Sequence, residues 1–183
     1  MRQSGAHSMF FVAIICPPSV DKKVLQYKRL MKEQFGCIVA LKSPAHITLI
    51  PPFWLEDERE KALVDTLQLF SSDIDTLEIH LNGFSHFGKR VLFVKVNENP
   101  ALEEVKKQVE NHFSKVFNDV FKKGDRTFHP HVTIANRDIK PSDFLTAWEY
   151  FSKKEFNEIF PGITISLLKL SSGQWNIIGE KTW

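Results

Sequence analysis

The sequence predicts an α+β fold built on a largely antiparallel sheet. Three observations carry this. Helical stretches with three- and four-residue apolar spacing alternate with short apolar strands placed to pair as hairpins. No GxGxxG or P-loop pattern joins a strand to a helix, so a doubly wound nucleotide-cofactor fold is not indicated. The two halves also share a shape: a strand, a long helix, a loop with proline, and a strand beginning His-x-Thr.

The elements follow in order. Met9–Cys16 reads as a strand stopped by Pro17-Pro18. Ser19 is placed to cap a helix to about Phe35, with Val20, Val24, Tyr27, Met31 and Phe35 on its apolar stripe, and Gly36 supplies the left-handed stop. Cys37–Leu41 and His46–Ile50 read as strands, the second ended by Pro51-Pro52, and a helix follows from about Asp57 to Phe70. Leu77–Leu81 and Val91–Val96 are strands joined through a glycine-flanked stretch. Pro100 opens the longest helix, whose stripe is Leu102, Val105, Val109, Phe113, Val116 or Phe117, and Val120. Lys122 to Pro130 is a loop, His131–Ala135 a strand, and Pro141-Ser142 starts a helix to about Lys153. Ile163–Leu170 and Gln174–Thr182 close the chain as a hairpin across Ser171–Gly173.

Composition bounds the function. The 183 residues are 43% hydrophobic and 25% charged, with sixteen phenylalanines, enough for a sizeable core. A net charge of +2 is too mild for a basic duplex-binding module, which leaves a small anionic ligand or a short oligonucleotide. Cys16 and Cys37 lie in apolar runs and read as reduced, buried thiols, placing the chain in the cytoplasm. The eight apolar residues Met9–Cys16 fall far short of the roughly 20 that span a bilayer, and residues 1–8 read as a flexible leader.

The chemistry lies in two stretches, SPAHITLIPPF at 43–53 and TFHPHVTIANR at 127–137. Each contains His–apolar–Thr–apolar just after a proline: His46-Ile47-Thr48-Leu49 and His131-Val132-Thr133-Ile134. On a strand, residues i and i+2 share a face, so each motif sets an imidazole beside a hydroxyl. Seven His and eight Thr give about 0.3 His-x-Thr matches by chance and two on the order of 4% of the time, so the pair is a signal. Two imidazoles across a groove can exchange protons near neutral pH, one with an attacking hydroxyl and one with a leaving oxygen. Two threonine hydroxyls can donate to the non-bridging oxygens of a phosphodiester. This chemistry needs no metal or cofactor. His129-Pro130-His131 offers a competing metal-dependent reading, though no carboxylate or cysteine cluster accompanies it. Phe84, His86 and Phe87 lie in a glycine-flanked stretch and are candidates to stack a base at the groove rim, with core burial as the competing fate of each phenylalanine. Phe53 and Trp54 could wall the groove or pack in the core. Lys42, Lys89, Arg90 and Arg126 could complement phosphate, but singly they are ordinary surface charges.

SPAHITLIPPF and FHPHVTIANR resemble the two signature motifs of the 2H phosphoesterase superfamily, which contains bacterial 2′-5′ RNA ligases and RNA 2′,3′-cyclic phosphodiesterases. MFFVAIICPP is similar to the family's first strand, GFSHFGKRVLFVKVNENPALEEV to its central strand pair and long helix, and SGQWNIIGEKTW to its last strand. The resemblance implies a bilobal α+β fold, with two antiparallel sheets and flanking helices around a central groove and one His-x-Thr per lobe, over residues 9–183 as a single domain. It implies His46 and His131 as the catalytic pair and Thr48 and Thr133 as phosphate binders. In relatives that hydrolyse cyclic phosphates the first histidine is the proton donor and the second the acceptor, roles that exchange with reaction direction. Many ligase-type relatives carry an arginine directly after the second motif's alanine. Asn136 stands there in this chain, and Arg137 follows as a candidate substrate contact. The expected enzyme is a monomeric, metal-independent phosphodiesterase acting on an RNA-related 2′,3′-cyclic phosphate or 2′-5′ linkage, without membrane or duplex DNA partners. The alternative is a non-catalytic binder of nucleotide or RNA-terminal phosphates.

Overall fold

The computed structural model describes residues 6–121 and 127–183. Strand β1 (His7–Ile15) alternates as its length requires: Phe10, Val12 and Ile14 enter the main core, while Phe11, Ala13 and Ile15 face the other way. Of the expected leader, residues 1–5 lie outside the described residues, and His7 and Ser8 already pair with Glu56 and Leu55.

Helix α1 (Pro18–Phe35) starts one residue earlier than Ser19. Pro18 suits the first helical position, where its missing N–H is no loss, and Pro17 precedes it without a side-chain cap. Gly36, at φ 70°, ends the helix and donates its N–H to the Lys32 carbonyl at 2.9 Å. The strand expected over Cys37–Leu41 is instead a 3-10 turn, Val39–Lys42. The cause is Asp138, whose Oδ2 accepts from the peptide N–H groups of Ile38 and Val39 at 2.6 and 2.7 Å, taking donors that a sheet ladder would use.

Strand β2 (His46–Glu56) runs straight through Pro51-Pro52 rather than ending there. Toward β1 the pairing jumps from Ile50 to Phe53 across a bulge, and both prolines are exposed, so their absent N–H groups cost no ladder bond. A 3-10 turn (Asp57–Arg59) and helix α2 (Glu60–Gln68) follow, the helix ending before Phe70. Strands β3 (Glu78–Phe87) and β4 (Val91–Val96) form a hairpin, and β3 continues through the stretch read as a connection. Gly83, at φ 68°, absorbs the irregularity between Leu81 and Phe84. In helix α3 (Pro100–Val116) the Asn99 side chain caps Leu102 N–H at 3.1 Å, and the stripe ends in buried Phe117, leaving Val116 54% exposed.

Strand β5 (His131–Asn136) and helix α4 (Pro141–Phe151) precede a strand that the pattern does not announce, β6 (Asn157–Pro161), before the expected hairpin of β7 (Thr164–Ser171) and β8 (Gln174–Thr182). The strands are antiparallel and form one sheet in the order β6-β3-β4-β5-β2-β1-β7-β8. It consists of two four-stranded halves joined at β5–β2 by one residue pair, Ile47 with Val132. The four helices of the described residues pack into a single core on one face, α1 through Val20, Val24 and Met31, α2 through Leu63 and Leu67, α3 through Val105 and Val109, and α4 through Phe144 and Phe151. The opposite face holds a small cluster, Phe11, Ala13 and Leu168 with Ile15 and Trp175, to which no helix contributes. Cys16 and Cys37 are free and buried, and burial pushes the Cys16 thiol up to about 12. No helix among the described residues is long and apolar enough to cross a membrane.

Candidate active site

The seam between the halves brings the two His-x-Thr motifs together. With Ile47 opposite Val132 in an antiparallel pair, the register sets His46 against Thr133 and Thr48 against His131. Ile47 and Val132 are fully buried in the helix-side core, so the four polar side chains, all half-buried, share the helix-free face. A local two-fold therefore relates one histidine–threonine pair to the other.

The imidazoles are held in matching ways. His46 Nδ1 lies 2.7 Å from the Pro44 carbonyl, and His131 Nδ1 lies 2.6 Å from the His129 carbonyl. A carbonyl only accepts, so in each ring Nδ1 carries the hydrogen and the neutral form presents Nε2 as an acceptor. Each ring also packs against a phenylalanine of the adjacent strand: Phe11 at 4.8 Å from His46, Phe93 at 5.0 Å from His131. A second aromatic backs each contact, Trp175 against Phe11 at 4.6 Å and Phe87 against His131 at 4.9 Å. Desolvation by burial pushes the His46 imidazole down to about 4, with Lys28 and His131 adding repulsion. Desolvation, with His129 beside it, also lowers His131, against the His129 carbonyl that holds its proton.

Below His46 the backbone is pinned by charged side chains of α1 that the sequence reading missed. Lys28, 3% exposed, donates to the Ser43 carbonyl at 2.9 Å, and Asp21 Oδ1 accepts from Ala45 N–H at 2.6 Å. Cys16 N–H closes the set by donating to the Ala45 carbonyl at 2.9 Å. The available signal was spacing: Lys28 falls four residues after Val24 and three before Met31, on the buried stripe. Burial pulls the Lys28 ammonium down to about 8. Beside His131 the register places Lys95 of β4, exposed and also missed.

Other candidates separate. Phe87 is 39% exposed on the face of the two histidines, whereas Phe84 points into the helix-side core against Tyr27, Phe151 and Phe156. Arg137 stands at the exit of β5, exposed, with its N–H on the Arg90 carbonyl at 2.7 Å. His129 lies 6.1 Å from the Phe87 ring, and among the described residues no three His, Cys, Asp or Glu side chains are grouped to hold a metal ion. Phe53 packs on Phe10 and Phe121, while Trp54 is 59% exposed. Arg126 lies outside the described residues.

Comparison with known proteins bears on this arrangement. The family described as the 2'-5' RNA ligase superfamily matches residues 16–174, a span that includes both motifs. The chain belongs to that superfamily. Among relatives of this 2'-5' RNA ligase superfamily member, a Geobacillus sp. (strain WCH70) protein named as a phosphoesterase is 24% identical over 161 residues, covering 86% of this chain and 88% of its own. A Geobacillus kaustophilus (strain HTA426) protein of the same designation is 25% identical over 173 residues, covering 92% and 93%. The crystal structure of E. coli LigT complexed with 3'-AMP superposes with a TM-score of 0.71 over 97% of this chain and 98% of that one, at 18% identity. LigT complexed with ATP gives 0.65 over the same shares at 17% identity. At such identities the two structures establish the fold.

Proposed function

We propose that this superfamily member is a metal-independent phosphodiesterase of the 2H type, acting on an RNA-related 2′,3′-cyclic phosphate or 2′-5′ linkage. The observation that carries the reading is the pairing of Ile47 with Val132, which sets two carbonyl-oriented imidazoles and two hydroxyls on one face. The relatives' designation as phosphoesterases and the nucleotide complexes of LigT agree with it.

The phosphate sits between the motifs, its non-bridging oxygens accepting from Thr48 and Thr133. One neutral histidine takes the proton of the attacking hydroxyl at Nε2 as its oxygen bonds to phosphorus. The other, protonated at Nε2, gives its proton to the ribose oxygen as the phosphorus–oxygen bond breaks. Water as nucleophile gives a phosphomonoester; a 5′-hydroxyl gives a 2′-5′ linkage, the same step run toward ligation. The two rings leave the step with their protons exchanged, so only a singly protonated pair is competent. Binding alone would be better served by lysine or arginine at these positions than by imidazoles whose protonation burial disfavours. At the rim, Phe87 offers an exposed ring for a base, while Phe84 does not reach the groove.

The test is a panel of 2′,3′-cyclic nucleotides and 2′-5′-linked dinucleotides with wild type and His46→Ala/His131→Ala, in the presence of chelator. Product from wild type and none from the double variant is expected. Equal turnover by both would overturn the reading.

A further inference from the structure

The register draws a row of four side chains across the helix-free face. Thr48 of β2 faces Ala13 of β1, Ala13 faces Ser166 of β7, and Ser166 faces Glu180 of β8. Facing residues of antiparallel strands share a side of the sheet and stand about 5 Å apart, so the row runs from the seam to Glu180 in three steps. Ala13 and Ser166 are small and fully buried, which makes them a low floor between its two ends. An apolar wall runs beside this floor. It starts at Phe11, whose ring lies 4.8 Å from His46, and continues through Trp175, 4.6 Å from Phe11, and Ile177, which faces Leu168 and is 43% exposed. Glu180 closes the far end. Its Oε1 accepts from the Ser166 hydroxyl at 2.9 Å, which turns the carboxylate back over the floor, toward the seam. Its backbone is anchored by Gln68, whose Nε2 donates to the Glu180 carbonyl at 3.0 Å. Among the described residues no cationic side chain lies within ion-pair distance of Glu180. None of the residues that β1, β7 and β8 turn to this face is a lysine or an arginine.

A carboxylate repels phosphate and accepts hydrogen bonds without donating any. At this end the groove therefore suits an uncharged group with a flat apolar surface for the wall and hydrogen-bond donors for the acid. A nucleobase has both. We propose that Glu180, with Trp175 and Ile177 beside it, selects guanine as the base on the His46 side of the groove. The Watson–Crick edge of guanine carries two adjacent donors, N1–H and the 2-amino group, which meet the two carboxylate oxygens in parallel. In adenine and cytosine the amino group adjoins a ring nitrogen that only accepts, and in uracil the single N–H lies between two carbonyls. Each of these sets a lone pair against one carboxylate oxygen. The proposal rests on the groove being a phosphodiester site and names the base that such a site prefers.

The test reads binding, so it stands apart from turnover. Isothermal titration calorimetry with the full chain compares 3′-GMP, 3′-IMP, 3′-AMP, 3′-CMP and 3′-UMP. 3′-GMP should bind at least about ten-fold more tightly than 3′-AMP, 3′-CMP or 3′-UMP. 3′-IMP, which lacks only the 2-amino group, should fall between. In Glu180→Gln the amide puts a donor in place of one acceptor, so 3′-GMP should lose its lead while 3′-AMP gains. Equal affinity of the wild type for 3′-GMP and 3′-IMP overturns the proposal, and needs no variant. So does a uniform loss for every nucleotide in Glu180→Gln, which would put the carboxylate on the ribose or on the fold. If the guanine preference and its reversal appear while no cyclic phosphate or 2′-5′ linkage is opened, the catalytic reading fails and the guanine subsite stands. If 2′,3′-cyclic nucleotides turn over with equal kcat/KM for all four bases, the guanine subsite fails alone.

Discussion

Ile47 and Val132 face each other as the one residue pair that joins the two halves of the sheet among the described residues. Both are fully buried, so neither can rotate outward without opening the helix-side core. That fixes which face His46, Thr48, His131 and Thr133 present and sets each imidazole beside the other motif's hydroxyl. It is also a thin connection, and a cavity there acts on both motifs together. Val132→Ala should lower stability by about 2 kcal/mol and raise the mobility of both imidazoles, seen as broadening of both sets of ring resonances.

In the proposed reaction one ring donates while the other accepts, so the histidines would act as a unit. His46→Ala and His131→Ala should each lower kcat/KM about 10²–10⁴-fold, and the double variant should fall little below the worse single. Multiplicative losses in a double-mutant cycle would show that they work independently.

Burial holds His46 at about 4 and lowers His131. The singly protonated pair that the proposed reaction needs is therefore depleted in the free protein at a lower pH than two ordinary imidazoles would allow. The kcat/KM optimum should lie below pH 6.5, while the optimum for kcat lies higher, since a bound phosphate anion favours the protonated ring. An optimum of kcat/KM above pH 7 would contradict the assignment of these rings.

Lys28 repels a proton on His46 and anchors Ser43 from the core side. Replacing it with methionine keeps the apolar stem and removes the charge, so the His46 pKa should rise and the acidic limb of the rate profile should move toward neutrality. NMR titration of the His46 ring checks this directly. A merely structural lysine would change stability and leave that titration where it was.

How much of this could be read from the chain depends on how local each cause is. The polar face of His46 and Thr48 follows from strand alternation within four residues, and the repeat at His131 doubles the signal. Phe84 and Phe87 were also separable in principle: three residues apart on one strand, they face opposite ways. Reading the glycine-flanked stretch as a connection hid that. The burial of Lys28 was legible in its helical spacing, but what Lys28 and Asp21 hold was not, because their partners, Ser43 and Ala45, are 15 and 24 residues away across a turn. The strand expected at Cys37–Leu41 is β-prone by composition, yet a carboxylate about 100 residues later takes its donors. β6 is a five-residue edge strand with mostly exposed positions, too short for its period to show.

Asp138 ties the 3-10 turn to the end of β5 through two charge-assisted hydrogen bonds, and its Oδ1 is buried without a partner. Asp138→Ala should destabilise the fold by about 2–4 kcal/mol by leaving two peptide donors unpaired. Asp138→Asn keeps an acceptor for them and should cost less. Urea denaturation of both variants gives the comparison, and equal stabilities would show that these bonds contribute nothing.

Stability against pH gives an independent measure of how tightly the groove desolvates His46. Its folded pKa of about 4 lies below the unfolded value near 6.5, so between these pH values the unfolded chain binds a proton that the native protein refuses. Stability therefore falls as pH drops from about 6.5 to about 4, by about 3 kcal/mol from this one ring, and the lowered His131 adds a loss of the same sign. His46→Gln removes the titration and should flatten that part of the curve by about the same amount, while losses from carboxylates at lower pH persist. Parallel curves for wild type and His46→Gln, by urea denaturation at pH 7, 5.5 and 4.5, would mean that the imidazole is solvated rather than held in a dry groove.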